Sequence, residues 1–447
     1  MRLKILKPCL LVFTLLLSQA GSAVTVDDVH TFTLKNDMKF LVMEDDSIPN
    51  ATLYIFWKVG SRNEAPGTTG IAHFFEHMMF NGAKKYGPKM FDKVMEAHGG
   101  SNNAYTSENV TAYMEWFPAD GLDKMFELEA DRIASLSLDP NIVESERGVV
   151  TSERLTGLEN SNYRTIWEEV KSAAFRAHPY SWPIIGHASD IENWTMQDLK
   201  EFHRIYYAPN NAVAIVVGNV KADNVKQLAK KHFESIPKQE EPKSVHTVEP
   251  EQKGERRVYV HKPSVTSPNI MMGYHIPANQ HKDFYPLVLL SDILTEGNSS
   301  RLVSKLVHEN ELAMDVGTDV PDSIDPNLFY LYAIASQGVS AAELETAVLK
   351  EIARVAKHGV TEEELQRAKN QREVAFYRDI ATISDRANLL GNYEIYHGSY
   401  RKMFSAPNDF AKVTAADIQR VAATYLTKKN RTVGVLDSRE DSDEFDL

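Results

Sequence analysis

The sequence predicts an α+β protein made of two homologous α/β halves, and three observations carry that reading. The first is size. A chain of 447 residues, 43% of them hydrophobic, is too long for one ordinary domain and too apolar for wholesale disorder. The second is a repeat: Thr195, Asp198, Tyr206 and Asn211 recur as Thr414, Asp417, Tyr425 and Asn430, each 219 positions later. Both copies pass from a helix through a short loop into an apolar strand, and a shared register is the mark of duplicated units. The third is residues 236–256, which carry three prolines and no apolar periodicity and so read as a linker. The division is residues 24–237, a linker at 238–256, and residues 257–437.

The first 23 residues are set apart from the fold. Arg2, Lys4 and Lys7 precede an apolar run from Cys9 to Leu17, and small residues follow up to Ala23. That order is the one of a secretory signal peptide, so export is expected, to the periplasm in a Gram-negative cell. Its removal takes away Cys9, the one cysteine; the mature chain then forms no disulfide, and a metal must be held by histidine and carboxylate. No later stretch approaches the roughly 20 apolar residues needed to span a bilayer. Forty-nine Lys+Arg against 62 Asp+Glu give a net charge of −13, which repels phosphate backbones and excludes nucleic acid as the expected partner.

The elements follow in order. Val29–Lys35 and Met38–Glu44 read as strands across an Asn36–Asp37 turn, and Ala51–Val59 as a third. Thr68 to Phe80 and Lys89 to His98 read as helices, the second stopped by Gly99–Gly100. Asn103 to Phe117 has strand-like composition. Asp139–Pro140 supplies an N-cap and an N1 proline for a helix to about Leu158. The last ten residues, 438–447, are mostly acidic and read as a frayed tail.

Residues 73–77 read His-Phe-Phe-Glu-His. On a helix, His73 and His77 lie one turn apart on the same side and can grip one cation, with the Glu76 carboxylate beside them. Zinc lowers the pKa of a bound water to about 7, and such a carboxylate can take its proton. Phe74, Phe75, Met78, Met79 and Phe80 make the segment largely buried, where unsatisfied histidine and glutamate would be costly. His-x-x-Glu-His is the inverted form of the His-Glu-x-x-His metallopeptidase pattern. A third ligand must come from elsewhere. The helix after Pro140 offers Glu146 and Glu153, two turns apart on one face, while Glu144 and Arg147 read as solvated surface charges.

With these motifs in place the chain resembles the pitrilysin (insulinase) family of inverted zinc peptidases, in particular the short members similar to mitochondrial processing peptidase. In that family the ligand Glu stands about 76 residues after the second His, which matches Glu153; a second Glu seven residues earlier matches Glu146 and supports the site without binding zinc. Gly99–Thr106 resembles the family's edge strand, which implies that Asn103, Ala104 and Thr106 pair with extended substrate. His178–Gly186 resembles its H-P-Y-x-x-P-I-x-G loop, where His178 and Tyr180 read as loop-packing residues; His98 reads as a helix-end residue. The resemblance implies an antiparallel sheet under helices in each half, and zinc peptidase activity with Glu76 as general base. It implies one Zn2+ per chain, because Val288, Ser291 and Asp292 stand where His73, Glu76 and His77 stood. Active members also carry an Arg and a Tyr in the second half that grip substrate. Here those positions fall on Val307 and Met314, which implies a homologous partner chain supplying the pair. A non-catalytic scaffold of the same fold is the alternative, and the whole motif speaks against it.

Overall fold

The computed structural model describes residues 24–438; the expected signal peptide and the acidic tail beyond Ser438 lie outside the described residues. Strands β1 (Val29–Thr33), β2 (Lys39–Glu44), β3 (Asn50–Trp57), β4 (Ser101–Thr106), β5 (Thr111–Pro118) and β6 (Ala212–Gly218) form one sheet. Strands β7 (Arg256–His261), β8 (Asn269–Ile276), β9 (Ala313–Asp319), β10 (Asn327–Ala335) and β11 (Arg431–Asp437) form another. Their orders are β1-β2-β6-β3-β5-β4 and β7-β11-β8-β10-β9. With β1 set aside, the two orders are the same topology. Each sheet is antiparallel apart from one pair: β2 with β6, and β7 with β11, run parallel.

Alternation along the central strands places the layers. Ala51, Leu53, Ile55 and Trp57 of β3 face one apolar cluster, and Tyr54 and Phe56 face a second, as a period of two requires. The first cluster lies under α1 (Ile71–Met78), α2 (Met90–Ala97) and α3 (Leu122–Ser135). The second is closed by Ile383, Ala387 and Leu390, on the helix Ile383–Tyr396 from the far end of the chain. The exchange is reciprocal. After α4 (Pro140–Asn160), helix α5 (Asn162–Ala174) lays Ile166 and Val170 against Met271, Leu328 and Leu436 of the second sheet. Each half thus lends a helix to the other. The connecting residues 237–255 have no regular structure, but Glu249 pins them by accepting the backbone N–H groups of Arg176, Ala177 and His178.

Two expected elements differ in detail. The stretch Asn103–Phe117 is a hairpin, because Ser107 Oγ accepts from Asn109 and Val110 N–H and turns the chain. That makes β4 an edge strand, paired with β5 alone. Helix α1 begins at Ile71 rather than Thr68, because Gly70 takes φ +88°. A Cβ there would stand 2.3 Å from Ile185 O, so the position requires glycine.

Candidate metal centre

Helix α1 is short, eight residues, and its sequence does not cap it locally. Glu64, six residues upstream and buried, does so: its two oxygens accept Gly70 N–H at 2.8 Å and Ala72 N–H at 2.9 Å. Burial pushes this carboxyl up, opposed by those two bonds. Asp190 holds the turn before it, accepting from Thr69 N–H and Oγ1 and from Gly67 N–H. Phe74, Phe75 and Met78 are fully buried, which fixes the rotation of the helix and turns the other face toward α4. Helix α4 keeps its expected start, with Asp139 Oδ1 accepting from Asn141 N–H at 2.8 Å. Arg147 is not a solvated charge. It donates to the carbonyls of Ile191 and Trp194 and ties α4 to the first core, whereas Glu144 is 76% exposed.

Between α1 and α4, one ligand atom each of His73, His77 and Glu153 lie within 4.8 Å of one another. Glu153 Oε2 is 3.4 Å from His77 Nε2 and 3.7 Å from His73 Nε2. Ligands about 2.0–2.1 Å from a tetrahedral zinc stand roughly 3.3 Å apart, so the donor set fits such an ion in number, kind and spacing. On its other side His77 Nδ1 is 2.8 Å from Glu146 Oε1, and Asn81 Nδ2 donates to Glu146 Oε2 at 2.9 Å and to His77 O at 3.2 Å. Glu146 thereby fixes the ring and directs Nε2 at Glu153. Glu76 Oε2 accepts from Thr106 Oγ1 at 2.6 Å.

The charges follow from these contacts. Burial holds His73 neutral, its pKa lowered to about 4; its Nδ1 is buried without a hydrogen-bond partner. For His77, burial is overcome by the carboxylates of Glu146 and Glu153, and the pKa is pushed up to about 9. Hydrogen bonding to His77 lowers both Glu146 and Glu153. Burial raises Glu76, the direction that suits a base working near neutral pH. Such an array can bind a divalent cation and present a base to a water beside it.

Of the substrate-strand residues, Thr106 reaches Glu76, while Asn103 Oδ1 accepts its own neighbour's Ala104 N–H at 2.9 Å. That N–H points away from β5, toward the open edge. Asn81 and Glu64 were not singled out from the sequence. Asn81 follows His77 by four residues, a helical spacing that could have flagged it; Glu64 leaves no such signal. His178 packs as expected, 3.2 Å from Asp325 Oδ2 across the two halves, and Tyr180 OH donates to Asn109 Oδ1 at 2.6 Å. His98 Nδ1 lies 2.8 Å from Val94 O at the end of α2.

Among the described residues the second half brings together no matching donor set. Val288 is buried and lines a cavity with Ser291, Asp292 and Arg372, Ser291 Oγ is hydrogen-bonded to Thr318 Oγ1, and Asp292 takes a two-pronged bond from Arg372. A guanidinium there already neutralises the carboxylate. Val307 is half-buried against the second core, and Met314 is 54% exposed on the edge strand β9.

The chain is similar to known proteins along most of its length. Residues 39–188 match the family described as "Insulinase (Peptidase family M16)". Residues 193–372 match "Peptidase M16 inactive domain". The chain is 34% identical over 407 residues to "Zinc protease PqqE" of Helicobacter pylori, covering 90% of this chain and 91% of that one. It is 24% identical to "Mitochondrial-processing peptidase subunit beta" of Lentinula edodes, covering 89% of this chain and 87% of the other. Among solved structures, a protease from Helicobacter pylori superposes with a TM-score of 0.88 at 33% identity, covering 92% of this chain and 99% of that chain.

Proposed function

This chain belongs to the insulinase family, peptidase family M16, and on that premise we propose that it is an exported zinc-dependent endopeptidase that cleaves extended peptides and works with a homologous partner. The observation that carries the reading is the whole donor set, His73, His77 and Glu153 within 4.8 Å, with Glu76 beside it and Glu146 behind it. A zinc ion held by these three residues would supply Lewis acidity and a water of lowered pKa.

The chain's own residues supply the rest. Glu146 keeps His77 in one orientation through Nδ1. Glu76, whose Oε2 is held by Thr106, has Oε1 to receive the proton of an attacking water and to return it to the leaving amine. The outward N–H of Ala104 on the edge strand offers a bond to a peptide carbonyl, so that substrate adds as a further strand. Export rests on the order of residues 1–23, and the partner rests on Val307 and Met314 standing where an Arg and a Tyr would act.

The test is metal analysis together with a peptide-library digest. Wild type should hold about one zinc per chain, Glu76→Gln should keep it and lose cleavage, and Glu153→Ala should lose the metal. Full occupancy in Glu153→Ala would remove Glu153 from the ligand set. Zinc-loaded wild type with no cleavage alone or with its partner would favour the scaffold reading.

A further inference from the structure

Thr106 belongs to the stretch that resembles a substrate-binding strand, yet its hydroxyl is engaged within the protein, donating to Glu76 Oε2 at 2.6 Å. We propose that Thr106 is a positioning residue for Glu76, and that docking of a peptide along β4 is coupled through this bond to alignment of the base. The proposal rests on the peptidase reading above and adds to it how substrate binding reaches the chemistry.

The pleat of β4 carries the argument. Asn102 donates to Asp92 Oδ1 of α2 at 2.8 Å, Ala104 packs against the first core, and Thr106 reaches α1, so the even-numbered residues share the helix-bearing face. Tyr105 turns the other way, to the layer beneath the helix Ile383–Tyr396. Backbone direction alternates too. Ala104 N–H, two residues from Thr106, faces the open edge, where Asn103 Oδ1 now occupies it; a peptide strand pairing there must displace that oxygen. The hairpin bearing Thr106 is itself anchored: Thr111 Oγ1, opposite it in register, donates to Val59 O, and Tyr113 OH donates to Phe75 O of α1.

A glutamate side chain has several rotamers, and a base that wanders loses alignment with its water. Thr106 fixes one carboxylate oxygen and leaves the second as the acceptor. Since the hydroxyl is aimed by the edge strand, anything that straightens or orders that strand also orders Glu76. Thr106 therefore acts through Glu76 and not on the peptide.

Thr106→Val keeps the side chain's shape without the donor, and Thr106→Ser restores it. With zinc-loaded protein, together with its partner where one co-purifies, and an internally quenched peptide chosen from a library digest, kcat of Thr106→Val should fall about 10- to 100-fold. KM and zinc content should stay at the wild-type level, and Thr106→Ser should recover most of the loss. Affinity of the zinc-free protein for the same peptide should differ between wild type and Thr106→Val by no more than about 3-fold, far less than the change in kcat. Weakened peptide affinity with kcat intact would make Thr106 a substrate contact and overturn the proposal. So would a Thr106→Ser variant as impaired as Thr106→Val. Cleavage that needs Glu76 but ignores Thr106→Val overturns this role alone, whereas a wild type that never cleaves overturns the peptidase reading and this inference with it.

Discussion

At the scale of single residues, the candidate centre is framed by groups outside its donor set. Glu146 takes one nitrogen of His77, and Asn81 holds Glu146 in place. Partners of this kind set the tautomer and aim of a ligand ring, and their loss commonly costs about 10- to 100-fold in metal affinity. Glu146→Gln should therefore weaken zinc binding by that order, and Asn81→Ala by less, measured by competition with a chromogenic chelator; an unchanged affinity in Glu146→Gln would mean that packing alone orients His77. A second prediction concerns Glu115, fully buried on β5 beside the ion-paired Glu129 and Arg132. Burial and the neighbouring Glu129 push its carboxyl well above 4.5. Above that value the folded chain binds a proton that the unfolded chain has released, so this group's contribution to stability is present at low pH and declines as pH rises toward its folded value. Glu115→Gln should flatten that part of the decline in a series of thermal melts; an identical slope would place the proton elsewhere. His73, Glu76 and His77 stand out in the sequence because helical spacing is local, and the same spacing offers both Glu146 and Glu153; what separates those two as support and ligand is the resemblance, not the spacing. Glu64 does not stand out, since only the fold brings it over the end of α1.

At the scale of elements, helix boundaries were readable where caps are local, as with Asp139 and Pro140, and misread where a distant loop sets them, as with Thr68 and Gly70. The exchange of helices between halves was not readable at all. An amphipathic pattern says that a face is buried and not against which sheet. What marks the exchange in the structure is close approach at glycine. A Cβ on Gly391, in the helix Ile383–Tyr396, would stand 2.1 Å from Phe56 Cε2, and one on Gly434 of β11 would stand 2.5 Å from Val170 Cγ2 of α5. Alanine in place of a helical glycine gains up to about 1 kcal/mol in propensity. Overpacking a ring that is wholly buried costs about 1–3 kcal/mol, and Phe56 has nowhere to move. Gly391→Ala should thus lower the melting temperature, and Gly391→Ala with Phe56→Leu should recover part of the loss; a melting temperature at or above wild type in the single variant would show that the helix shifts freely on the first sheet.

At the scale of the whole molecule, the two halves share one topology and differ in the side chains they place on it. The first carries the donor set. The second carries apolar Val307 and Met314 where the resemblance implies an Arg and a Tyr, and two of its arginines are engaged: Arg301 bonds both oxygens of Glu364, which against its burial is held down to about 2, and Arg372 bonds both of Asp292. Freeing either guanidinium would leave Glu364 or Asp292 without its cationic partner, so neither is a ready substitute donor for a peptide carbonyl or an oxyanion. A second copy of this chain brings the same deficit. A homologous chain that keeps the Arg and Tyr would supply both donors by closing over the first half, and metal without such positioning leaves the reaction slow. The purified single chain should accordingly bind about one zinc yet cleave peptides poorly, and its kcat/KM should rise by about 10-fold or more on addition of the partner recovered with it from the native source. The gain should vanish when the partner's Arg is changed to Ala while the complex still elutes as a heterodimer on size exclusion. Full activity from rigorously purified single-chain protein, matched by loss in Glu76→Gln, would defeat the two-chain reading while leaving the zinc centre intact.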